Sequence, residues 1–287
     1  MKRLDRSELI FRIVAYVLVT LFVLTTLYPF IYSISMAVSG RLAIETGKVV
    51  LFPVDIQFDA LEALTIGPRA RSFWIAYTNT LFYTFYGTAF SMLISIFAAY
   101  ALSRKNLVFK RQIGFLIVFT MWFSAGLIPT YINYQELLVN NRWGIIYGFG
   151  AQAFFIILLR NYFNSISHEI EEAAIVDGAN DFQVLSNIYL PMSKSALATV
   201  TLFYALNRWN GYFWNMRLVK DTEHPLQVVL RGIAAGAADS DVITNYPYSE
   251  ISLAYAAIVL SIIPIVVIYP YLQKYFARGV NVGGVKE

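Results

Sequence analysis

The chain alternates long charge-free apolar stretches with short segments dense in Lys, Arg, Asp and Glu. A helix needs roughly 20 apolar residues to cross a hydrocarbon core of about 30 Å. Stretches of that kind fall at 13–40, 72–103, 112–135, 143–160 and 251–273. The fourth is short and needs its flanking residues or a locally thinned bilayer to span. A further apolar run begins at 195 and is interrupted by Arg208; continuing through it gives a sixth span at 195–216. The pattern predicts an all-α polytopic protein with six transmembrane helices forming one membrane domain over 1–287.

The first run follows Lys2, Arg3 and Arg6 and ends near Ala37-Val38-Ser39, which looks like a signal-peptide cleavage site. It far exceeds the apolar stretch of about 7–15 residues in a secretory signal, so it reads as a retained helix. The segment between the second and third runs carries Arg104, Lys105, Lys110 and Arg111 and no acid. Basic residues in short loops mark the cytoplasmic face, which places both termini inside. On that topology 41–71 and 217–250 lie outside, and 161–194 forms one long cytoplasmic loop.

That loop has a pattern of its own. Glu169 through Asp177 reads as a short amphipathic helix with Ile170, Ala173 and Ala174 on one face, and Gly178 ends it. Asp181-Phe182 opens a second helix with Phe182, Leu185 and Ile188 on one side, and Pro191 is expected to close it. The result is a helix-Gly-helix elbow, a shape that presents an apolar edge to a partner groove.

Glu172-Ala173-Ala174, three residues, Gly178, nine residues and then Ile188-Tyr189-Leu190-Pro191 resembles the EAA loop of ABC-importer permeases at every defined position. The resemblance implies the type I importer permease fold and an elbow that docks on an ATPase subunit, through Glu172, Ala173, Ala174, Asp177, Gly178, Ile188, Leu190 and Pro191. Six spans with long outer loops are similar to the carbohydrate branch, including its maltose-system and alginate-type members. Trp209-Asn210 followed by Pro225-Leu226-Gln227, and the tail from Tyr275 to Lys286, resemble the same branch, although Glu287 replaces its common final Gly. The resemblance further implies a second, related permease subunit in a heterodimer, two ATPase subunits, an extracytoplasmic solute-binding protein and an oligosaccharide substrate, in the bacterial inner membrane. An amino-acid or peptide importer of the same type is the alternative.

Composition sharpens the picture. Hydrophobic residues make up 58% and charged residues 14%, against roughly a quarter charged in soluble domains, which confirms membrane lipid as the surroundings. Cysteine is absent, which removes disulfides and thiolate chemistry, and His168 and His224 stand far apart without ligand spacing for a metal. The net charge of +4 sits beside apolar runs, as topology signals do, and gives no nucleic-acid surface. No phosphate-binding G-x-x-x-x-G-K-[ST] loop occurs. No catalytic set or cofactor is therefore expected on this chain, with ATP and Mg on the partner subunit. No Asp or Glu falls inside a predicted span, which argues against an ion-coupled secondary transporter.

Two segments remain as candidate binding surfaces. Arg208 is the one cation that span length forces into the membrane, where charge is retained when it lines a path or finds a partner. With Asn207, Trp209 and Asn210 it forms a candidate sugar path, and a guanidinium there would favour an acidic, alginate-like oligosaccharide. The small-residue stretch Gly232-Ile233-Ala234-Ala235-Gly236-Ala237-Ala238 reads as a flexible outer loop resembling the one that enters the binding protein in maltose-type systems.

Overall fold

The computed structural model describes residues 5–123, 125–238 and 246–279, with the backbone alone over 271–279. The described residues are helical throughout, apart from turns and one isolated antiparallel bridge between Ser39 and Ile56. The chain forms two compact units, Met1–Trp74 with Val229–Ile263 and Ile75–Val228 with Pro264–Glu287.

In the first unit α1 (Arg6–Ala37) leads to α2 (Arg41–Glu45) and α3 (Asp59–Thr65). Helix α1 is almost uniformly apolar and largely exposed, as suits a helix that meets lipid. Its last turn packs: Met36 joins Ala43, Ile44 and Val49 in a small core that Tyr32 and Tyr255 flank. Arg69 pairs with Glu250 at 2.7 Å in the same unit.

The second unit holds most of α4 (Ala70–Ser103), then α5 (Lys110–Trp122), α6 (Leu127–Glu136), α7 (Arg142–Gly148), α8 (Ala153–Asn164), α9 (His168–Val176), α10 (Asp181–Val184), α11 (Leu190–Met192), α12 (Lys194–Trp209) and α13 (Phe213–Leu218). Helix α14 (Leu226–Ala238) and helix α15 (Glu250–Gly279) follow. Among the described residues α1, α4 and α15 are each long and apolar enough to cross a membrane, and α7 with α8 form a fourth candidate bent by 51°.

Three expected spans are broken. The run at 112–135 divides before Gly126, whose φ of +86° leaves the helical region, with Pro129 in the first turn of α6. The run at 143–160 bends where Gly148-Phe149-Gly150 ends α7, and α8 continues to Asn164. The run at 195–216 stops at Trp209 and resumes at Phe213. Residues 38–40 also leave α1 for a turn, and α15 runs past 273 to Gly279.

Candidate functional site

The elbow is built from its caps inward. The Ser167 hydroxyl accepts from the Glu169 amide at 3.3 Å, and Glu169 and Glu171 occupy the first turn of α9, where negative charge suits the helix dipole. At the far end Gly178 takes φ +85°. The Gly178 amide donates to the Ile175 carbonyl at 3.0 Å and the Ala179 amide to the Ala174 carbonyl at 2.9 Å, the paired bonds of a Schellman turn. Asn180 then caps α10 reciprocally, its side chain and that of Gln183 each accepting the other's amide at 2.9 Å.

Pro191 does not end the second arm. A π-helical turn at Leu185–Tyr189 intervenes, and the helix continues through Met192. The Leu190 amide reaches back to the Leu185 carbonyl, a five-residue register that loosens the helix beside a ring that clashes in regular α geometry.

Burial revises the expected faces. Ala174, Ile188 and Leu190 pack on a core of Tyr100, Phe155, Leu159, Phe163, Val184, Leu185 and Tyr189. Ile170, Ala173 and Phe182, placed by periodicity on the same faces as these residues, are exposed. Glu172, Asp177 and Pro191 are also exposed, and Val176 is 86% exposed at the tip. The outward surface of the elbow is therefore apolar through Ile170, Ile175, Val176 and Phe182, with Glu172 among them.

A charged cluster beneath the elbow was not foreseen. The Arg104 guanidinium, just past the end of α4, pairs with Glu171 on α9 and with Asp181 on α10 at 2.9 Å. It stacks 5.4 Å over the Tyr100 ring, whose hydroxyl donates to the Asp181 carbonyl at 3.1 Å. Tyr189 donates to Glu171, and His168 Nδ1 lies 3.6 Å from the same carboxylate. Burial, followed by the bond to Glu171, holds the Tyr189 hydroxyl above its usual range, so it stays a donor at physiological pH.

The second site lies where α12 meets the bend between α7 and α8. A helix end leaves carbonyls unpaired on one side and amides on the other. Arg208 supplies the donors: its guanidinium reaches the Phe149 carbonyl at 2.6 Å, the Ile145 carbonyl at 3.3 Å, the Ile146 carbonyl at 3.4 Å and Ser91 Oγ at 3.2 Å. One turn earlier on α12, the Tyr204 hydroxyl accepts from the Gln152 amide at 3.2 Å, at the start of α8, and pairs with Ser95 at 2.7 Å. A cation at the C-terminus of α7 also complements its dipole. Gly87 on α4 makes room for this arrangement, since a Cβ there would lie 2.7 Å from Arg208 Nε.

Asn207, Arg208 and Asn210 line a cavity of about 310 Å³, together with Gln152, Tyr212 and Trp214. Trp209 does not join them. It is buried, meets Tyr77 edge-on at 6.2 Å and borders a separate apolar cavity of about 600 Å³. The guanidinium of Arg208 is thus bonded to backbone carbonyls and to Ser91 at the wall of that cavity. The stretch through Gly232, Ala234, Ala235 and Gly236 is also corrected: it lies within helix α14, with these four residues exposed, and is no flexible loop. Of the carbohydrate-type tail, residues 280–287 lie outside the described residues.

Residues 72–282 match the family described as "Binding-protein-dependent transport system inner membrane component". The chain is 35% identical to the polygalacturonan/rhamnogalacturonan transport system permease protein YtcP of Bacillus subtilis (strain 168), over 96% of this chain and 98% of that protein. It is 32% identical to protein LplC of the same organism, over 91% of this chain and 90% of that one. A solved chain from a bacterial ABC transporter involved in the import of the acidic polysaccharide alginate superposes with a TM-score of 0.87 at 45% identity, covering 96% of this chain and 100% of the other. With the family matched over most of its length, the chain belongs to the inner-membrane components of binding-protein-dependent transport systems, and its all-α architecture is the type I ABC importer permease fold.

Proposed function

We propose that this chain is one half of the translocation path of an ATP-driven oligosaccharide importer, paired with a second permease subunit, two ATPase subunits and an extracytoplasmic solute-binding protein. The observation that carries the reading is the elbow, whose two capped arms meet at Gly178 and expose Ile175, Val176 and Phe182 around Glu172. An exposed apolar patch rimmed by charge marks a partner contact, and the resemblance of the elbow to the EAA loop supports an ATPase subunit as that partner. Both termini and the elbow are assigned to the cytoplasmic side by the basic segment at 104–111. ATP and Mg act on the partner, and this chain supplies conformational change rather than bond chemistry.

The substrate class we favour is a uronate-containing oligosaccharide, on the likeness to the alginate importer and to the polygalacturonan/rhamnogalacturonan permease. Asn207 and Asn210 around the 310 Å³ cavity offer amides to sugar hydroxyls, with Tyr212 and Trp214 as ring faces. Helix α14 is proposed to meet the binding protein through its small exposed side chains at 232–236. The test is ATP-dependent uptake by vesicles holding the complete complex, with a thermal-shift screen of the cognate binding protein against neutral and acidic oligosaccharides. Uptake that persists without the ATPase would sink the importer reading. Stabilisation of the binding protein by neutral sugars alone, or by amino acids or peptides, would sink the substrate class.

A further inference from the structure

The Arg104 cluster joins elements that the sequence leaves far apart. Arg104 extends from the end of α4, Glu171 belongs to the first arm of the elbow and Asp181 to the second. One guanidinium therefore holds a carboxylate from each arm, in the forked geometry that arginine favours. The two contacts differ in strength. The Glu171 side chain is only 13% exposed, whereas Asp181 is 78% exposed and its pair is screened by water. Tyr189 and Tyr100 complete the arrangement: Tyr189 fixes the Glu171 carboxylate from the second arm, and Tyr100 lies under the guanidinium while bonding the backbone at Asp181.

Helix α4 runs unbroken from this cluster to Ser91 and Gly87, which touch Arg208 at the bend between α7 and α8. Ser91 and Arg104 lie thirteen residue steps apart, about 20 Å at 1.5 Å per residue. A rigid helix with a polar clasp at one end and a pinned break at the other is a physical route for displacement.

We infer that Arg104 is a positioning residue that clasps both arms of the elbow to α4, so that movement imposed on the elbow is delivered along α4 to the broken span. The inference rests on the reading of the elbow as the ATPase contact. The clasp does not bind the ATPase itself, because Glu171 faces inward and the outward patch carries other residues.

The experiment uses the complete complex reconstituted in liposomes with its binding protein. Arg104→Gln, Glu171→Gln, the double variant and Arg104→Lys are compared for ATPase copurification, basal ATP hydrolysis, stimulation by substrate-loaded binding protein and substrate moved per ATP. We expect Arg104→Gln to retain the ATPase subunits and basal hydrolysis but to lose stimulation and transport per ATP by about tenfold, the scale of one charge-assisted hydrogen bond. The double variant should lose no more than the single ones, as members of one unit do, and Arg104→Lys should recover part of the coupling by keeping the charge. Unchanged stimulation in Arg104→Gln, or additive losses in the double variant, would overturn the clasp. So would loss of the ATPase subunits from Arg104→Gln, which would make Arg104 part of the docking contact. If Arg104→Gln cannot be purified, Glu171→Gln removes the same contact from the other side and decides alone. Failure of the unaltered complex to retain any ATP-hydrolysing partner would instead reject the proposed function and leave the clasp geometry aside.

Discussion

Replacing Gly178 separates backbone strain from side-chain bulk at the elbow. Its φ of +85° lies in the left-handed region, which costs an L-residue about 1–2 kcal/mol. A Cβ added there would meet nothing within 4 Å, so crowding by neighbours contributes nothing. The turn is held by the Gly178 and Ala179 amide bonds, each worth about 1 kcal/mol net. In Gly178→Ala strain and bonds nearly balance, and the elbow divides between the observed turn and other conformations. Gly178→Val adds β-branching, pushing strain to the upper part of about 1–3 kcal/mol, so the turn should be mostly lost. Asparagine visits this region readily, so Gly178→Asn should be milder than Ala although it is larger. The expected order of substrate-stimulated ATPase activity in the reconstituted complex is Gly, Asn, Ala, Val, with about a tenfold loss for each 1.4 kcal/mol of excess strain. Membrane insertion and expression should be unchanged. An order that follows side-chain size, with Asn below Ala, would refute the strain argument, and full activity in Gly178→Val would falsify the assignment of the elbow as the coupling element.

Arg208→Met should lower both thermal stability in detergent and uptake, because it strips the guanidinium donor from the carbonyls of Ile146 and Phe149, an unsatisfied group costing about 1–3 kcal/mol, while the Ile145 carbonyl keeps the Phe149 amide. Reduced uptake at unchanged stability would instead make Arg208 a substrate contact. Gly87→Ala should reproduce the Arg208→Met loss without touching the charge, since its Cβ would lie 2.7 Å from Nε; wild-type melting behaviour would show that the guanidinium can yield. In this cysteine-free chain, Ile66→Cys and Val108→Cys sit at exposed positions. An impermeant thiol reagent added outside should label the first only, and the opposite pattern would invert the topology. Ala235→Trp on the exposed side of α14 should impair uptake while the subunits still assemble, and unimpaired uptake would remove α14 from the binding-protein contact.

The elbow was legible because its information is local. Gly178, the acids of the first turn and the Glu-Ala-Ala spacing each act within one or two turns of helix, so a linear pattern captures them. The broken spans were not, because a charge-free run measures length and apolarity but carries no record of the backbone path. Gly126, Gly148, Gly150 and Gly211 stand at or beside the breaks, yet glycine is common inside transmembrane helices and gives no warning alone. Long-range pairing was equally hidden: Arg104 meets Glu171 and Asp181 across a distance in sequence that no periodicity links.

Arg208 shows how the two kinds of information combine. Span length led to the expectation of a cation within the membrane, and the expense of such a charge to the expectation of a partner. The partner could have been a substrate carboxylate, lipid headgroups or the protein itself. Only the bend between α7 and α8 decides among them, because a pair of helices bent by 51° leaves carbonyls at the break without a helical partner. The same helix that brings Arg208 to the carbonyl side brings Tyr204 to the amide side one turn away. A break with a carbonyl side and an amide side both bonded from one neighbouring helix keeps its backbone groups paired although the ladder of the span is interrupted. On the proposed function, Arg208 and Tyr204 hold the two sides of the break, and the amides and rings around the adjoining cavity are the groups left to meet a sugar.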